Sequence, residues 1–118
     1  MAAIEGAAVA PRRRLGIVSL LCALGGLAAA FASLLLFANM PAAAPDAVKT
    51  AITVLFMIVF FAAAPLTHLI GLVLGVVALF RRGDSRVAAG FGVFLNAILL
   101  PAGVIFVLAW LNALAAFR

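Results

Sequence analysis

Residues 71–96 read GLVLGVVALFRRGDSRVAAGFGVFLN. An apolar run ends at Phe80, the six residues Arg81-Arg82-Gly83-Asp84-Ser85-Arg86 follow, and the chain is apolar again from Val87. A connection this short does not let two long helices diverge, so it predicts an antiparallel hairpin. Gly83 suits a left-handed position closing the first helix, and Asp84 or Ser85 suits the cap of the next.

Outward from this turn, the preceding run begins at Ala51 and the following one reaches about Asn112. A third run, Leu15 to Ala38, lies upstream. A helix needs roughly 20 apolar residues to cross about 30 Å of hydrocarbon, and each run suffices. The composition agrees. Of 118 residues 69% are hydrophobic and 9% charged, whereas a soluble domain is about half apolar and a quarter charged. The expected fold class is therefore an all-α membrane protein with three transmembrane helices, spanning about 15–38, 51–80 and 87–112. Residues 1–14 form a short cytoplasmic tail and 113–118 a short external one. At about 1.5 Å per residue the second run is roughly 45 Å long, so it must tilt or bend. Pro65 is the natural bend point, and Pro101 can act likewise in the third run.

Charge sets the orientation. Arg12, Arg13, Arg14, Arg81, Arg82 and Arg86 fall on one side, and Lys49 and Arg118 on the other. By the positive-inside rule the N-terminus and the 81–86 turn are cytoplasmic, while the 39–50 loop and the C-terminus face outward. These arginines flank apolar runs instead of forming a stripe, so the net charge of +5 is read as topology and not as a nucleic-acid surface. Trp110 fits an interfacial anchor near the outer end of the third helix. Asp46 suits the cap of the second helix. A cleaved signal peptide fits poorly, because the first run exceeds the usual signal core of about 7–15 residues. A lipoprotein signal fits poorly too, since Leu21 precedes Cys22 where a small residue is required.

Lipid gives helices no hydrophobic reason to associate, so small residues and buried hydrogen bonds mark contact faces. His68, Gly71, Gly75 and Ala78 form one stripe on the second helix. Ala89, Gly92, Asn96 and Gly103 form another on the third. The hairpin brings the two together. The first helix offers Gly25, Ala29 and Ser33, with Cys22, Gly26 and Ala30 alongside. Phe56, Phe60, Phe61, Phe91, Phe94 and Phe106 read as lipid- or partner-facing ridges, with pigment or quinone contact the lesser alternative.

His68 is the single histidine and an ionisable residue deep in a span, which marks it for scrutiny. Its plainest role is structural, bonded to Asn96 or to a carbonyl near Pro65. Proton or ligand handling is the second reading. Haem or metal ligation is the third, because one histidine cannot supply two axial ligands. Cys22, the lone cysteine, reads as a small buried hydrophobe.

The two halves of the opening stretch, Gly71–Gly83 and Arg86–Asn96, together resemble small bacterial multi-span membrane proteins of unknown function. These carry a GLxLGxxAL, basic turn, AxxGxxLN pattern in their last two helices. Leu15–Leu20 is similar to their usual opening. The resemblance implies a compact bundle in a bacterial cytoplasmic (inner) membrane and no reaction.

Among functions, a non-catalytic structural or accessory subunit of a larger inner-membrane complex comes first, with a respiratory or photosynthetic complex one candidate host. Its partners would be lipid and other membrane subunits, with no nucleic acid and no required cofactor. The alternative is an oligomeric transporter or channel using the His68/Asn96 patch, although Glu5, Asp46 and Asp84 all lie outside the spans. An enzyme is not expected. Ser19, Ser33, Cys22, Thr50, Thr53 and Thr67 lack a base at helical spacing, except Thr67, whose neighbour His68 points elsewhere.

Overall fold

The computed structural model describes residues 14–118. Arg12 and Arg13 lie outside this range, as does Glu5. The described chain is helical apart from short connections: α1 Leu15–Ala38, α2 Asp46–Ile58, a π-helical turn Val59–Ala63, α3 Ala64–Phe80 and α4 Arg86–Ala116. From α2 through α3 the helix runs without a break, so three helices of 24, 35 and 31 residues are long and apolar enough to cross a membrane. The second starts five residues earlier than its apolar run. Pro45 takes the cap position in place of Asp46, which lies in the first turn, where its charge meets the positive end of the helix. The last helix continues to Ala116, past the expected boundary at 112.

Pro65 acts on the turn ahead of it. Proline lacks an N–H, and its ring crowds the carbonyl four residues back. The helix widens just before it, and the Ala64 N–H donates to the Val59 carbonyl, five residues back. Pro101 sits inside α4 with no such interruption.

In the 81–85 connection Gly83 is left-handed and Ser85 caps the next helix, as the sequence suggests, but Gly83 does not close α3 directly. Arg81 ends α3 in an extended conformation, so the left-handed residue, Gly83 at φ +84°, lies two positions further on. Ser85 caps α4, its Oγ accepting from the Ala88 N–H at 3.3 Å. Asp84 turns away from α4. Its Oδ1 accepts from the Gly16 N–H at 3.1 Å and from the Ser85 N–H at 2.9 Å. α1 has no side-chain cap of its own, and an acid from the other connection serves one of its free amides.

All three long helices pack against one another. Between α3 and α4 the close pairs are Gly75 with Val93 and Gly71 with Asn96. α1 runs alongside α4 in the same sense, with Gly16 beside Ala89 and Ser19 beside Gly92. The inward faces are made of small residues. α1 buries Gly16, Ser19, Ala23, Gly26 and Ser33, α3 buries Ala64, His68, Gly71, Gly75 and Ala78, and α4 buries Ala89, Gly92 and Asn96. On α1 this corrects the expected Gly25–Ala29–Ser33 face, because Gly25 and Ala29 are exposed and only Ser33 points inward. Large apolar side chains such as Leu21, Phe31, Val73 and Ile105 face outward instead, a surface suited to lipid.

At the far end of the bundle, around the α1 C-terminus, aromatic rings fill the gap. Phe56 is only 2% exposed. It stacks on Phe37 at 4.7 Å between centroids and meets Phe60, Phe61 and Trp110 at 5.2, 5.7 and 5.7 Å. Phe106 joins through Phe60 and Trp110. Phe56, Phe60 and Phe106 are thus inter-helix packing and not an outer ridge, Phe61 packs on Phe56 and Phe60 of its own helix, and Trp110 belongs to the same cluster. Phe91 and Phe94 do face outward.

Candidate functional site

The polar centre of the bundle is assembled from three helices. Asn96 has no exposed surface. Its Nδ2 donates to the Gly92 carbonyl at 2.8 Å, four residues back, and to the Ser19 carbonyl on α1 at 3.1 Å. Its Oδ1 lies 3.0 Å from His68 Nδ1. The Ser19 hydroxyl donates to the Gly71 carbonyl on α3 at 2.6 Å. Ser19 therefore touches both other helices, accepting from α4 through its backbone and donating to α3 through its side chain.

This arrangement places a hydrogen on His68 Nδ1. Both Asn96 amide hydrogens are engaged by carbonyls, so the amide orientation follows from its partners. The oxygen left facing His68 accepts, so Nδ1 carries the hydrogen. In the neutral ring, Nε2 is then a bare lone pair. Imidazole nitrogens are distinct in this way, each set by the bond the other makes.

Small residues let the network close. A Cβ on Gly71 would fall 2.6 Å from Asn96 Nδ2 and 2.7 Å from Cys22 Cβ. One on Gly92 would collide with the Ser19 hydroxyl. Gly26 lets α1 lie against the imidazole edge, where a Cβ would sit 2.8 Å from Cε1 and 3.0 Å from Nε2. Hence His68, Gly71, Gly75, Gly92 and Asn96 do converge, while Gly103 lies further along α4. Ser19 entered the sequence reading only as an unactivated nucleophile. Its spacing of three, four and seven from Gly16, Ala23 and Gly26 was the signal for its place at the centre.

Beside His68 a cleft of about 210 Å³ opens between α1, α3 and α4, with an almost wholly apolar lining that includes Phe31, Phe60, Pro65, Gly103 and Phe106. The arginines lie at one end of the bundle: Arg14, Arg81, Arg82 and Arg86 are exposed there. Among the described residues no three His, Cys, Asp or Glu side chains cluster as a metal site would need. Of the nucleophile candidates, Thr53 and Thr67 donate to carbonyls four residues back, those of Lys49 and Ala63, and Ser33 donates to the Ala30 carbonyl.

Fold and site together define an all-helical chain whose three long helices are apolar enough to cross a membrane and share a polar, small-residue centre. No family model, curated protein or solved structure matches it.

Proposed function

We propose that this chain is a non-catalytic integral membrane protein acting as an accessory subunit of a larger complex in a bacterial cytoplasmic membrane. In this reading the arginine-bearing end, with the 81–85 turn, is cytoplasmic, and α3 and α4 form an antiparallel hairpin through it. The N-terminus is cytoplasmic and the C-terminus external, as six of eight basic residues require.

One observation carries the accessory role. The buried polar side chains Ser19, Ser33, His68 and Asn96 all bond within the bundle, while the outward surface is a continuous spread of large apolar residues. Polarity spent on joining helices leaves no row of polar groups to line a path for ions, which weighs against the transporter alternative. Purification from native membranes in mild detergent, followed by native mass spectrometry, tests the reading. A defined larger assembly containing this chain at fixed stoichiometry is expected. Recovery solely as a monomer or self-oligomer, with proton or ion flux in liposomes, would replace it with the transporter.

A further inference from the structure

We propose that the cleft beside His68 binds a lipid-soluble aromatic alcohol, a phenol or hydroquinol ring on an apolar body, whose hydroxyl donates to His68 Nε2. The inference rests on the membrane placement and is independent of the accessory role.

Two observations meet here. His68 is 95% buried, with 5% of its surface exposed, and its hydrogen bond to Asn96 uses Nδ1 alone. Nε2 has no hydrogen-bond partner among the described residues, and His68 lines the cleft. A buried lone pair without a donor is costly.

The cleft supplies the rest of the specificity. A cavity of about 150 Å³ holds benzene, so about 210 Å³ takes one substituted ring. Phe31, Phe60 and Phe106 in its walls favour an aromatic head over an aliphatic one. Leu27 and Phe31 in the lining are 47% and 59% exposed, so an apolar tail can pass from the cleft into surrounding lipid. Nε2, bearing no hydrogen in this tautomer, selects a ligand that donates. A ketone or ether of equal size gains no bond there.

The test uses the full chain in lipid nanodiscs with 4-fluorophenol, 4-fluoroanisole and 4-fluorocyclohexanol, followed by fluorine NMR. The single histidine gives one pair of imidazole nitrogen resonances in protein labelled with nitrogen-15 histidine. The free protein is expected to show hydrogen on Nδ1, and 4-fluorophenol should move the Nε2 resonance. The phenol should bind roughly tenfold tighter than the anisole, the worth of one hydrogen bond. It should also bind more tightly than the cyclohexanol. His68→Leu should abolish the preference. Gly103→Leu gives a second variant that keeps the His68 network. A Cβ there meets nothing within 4 Å, so the larger side chain fills the cleft and should remove phenol binding. Equal binding of phenol and anisole would mark an acyl-chain groove and overturn the proposal. Hydrogen on Nε2, or phenol binding unaffected by Gly103→Leu, would overturn it too. Cyclohexanol binding as tightly as phenol would overturn the aromatic assignment.

Discussion

Asn96 carries three hydrogen bonds to three different segments, and the helices give up different things if it is lost. Asn96→Ala frees the Ser19 carbonyl and leaves His68 Nδ1 without an acceptor. Inter-helix hydrogen bonds in membranes average about 0.6 kcal/mol and reach about 1.7, so a loss of roughly 1–3 kcal/mol is expected. Reversible unfolding in mixed micelles measures it, and wild-type stability in the variant would deny the network its role. The glycines make a sharper comparison. Gly71→Ala forces a methyl between Asn96 and Cys22 and should cost roughly 1–3 kcal/mol by overpacking. Gly25→Ala meets nothing within 4 Å and should stay within about 0.5 kcal/mol of wild type. Equal effects at the two positions would mean that the inward faces of α1 and α3 are assigned wrongly.

The aromatic cluster ties α1, the second helix and α4 together where the small-residue centre does not reach. In water a Phe→Ala change in a core costs about 3–5 kcal/mol. Lipid is as apolar as the phenylalanine it would receive, so the transfer part vanishes and only packing is lost. Phe56→Ala should therefore cost roughly 1–2 kcal/mol. Trp110, the single tryptophan, packs on Phe56 at 5.7 Å and reports the change by a shifted and broadened emission band. An unaltered Trp110 spectrum would show that the two rings are not neighbours. The Pro65 turn is legible only in part. Proline at this position announces that a carbonyl is freed, but the widened turn is taken up at Val59–Ala63, where no residue signals it.

For the assembled bundle the testable quantity is which end faces the cytoplasm. The Asp84–Gly16 bond draws the 81–85 turn to the start of α1 and gathers Arg14, Arg81, Arg82 and Arg86 at one end. In a Cys22→Ala background, Ser85→Cys should be labelled by a membrane-impermeant maleimide only from the cytoplasmic side. Ala43→Cys, in the 39–45 connection, should be labelled only from outside. Labelling of both from the same side would contradict the three-span orientation.

Helix existence, approximate length and apolar character were all readable from residues, because they depend on local content: long uncharged runs, arginines at their ends, prolines and Asp46 near their starts. Which face of each helix turns inward was readable on α3 and on the first half of α4, where His68, Asn96 and the glycines stand out against Leu, Val and Phe. On α1 it was readable only in part, at Gly26 and Ser33. There almost every face is apolar and small residues occur on several sides, so periodicity singles out no direction. Gly25 and Ala29 were singled out, and Gly16, Ser19 and Ala23 were passed over. Only the packed structure decides, because the choice depends on how closely α3 and α4 approach, on the Ser19 carbonyl and hydroxyl finding partners 77 and 52 residues away, and on Asp84 reaching across to Gly16. Those contacts are non-local. They also fix the Asn96 orientation, and with it the nitrogen of His68 that is left without a partner.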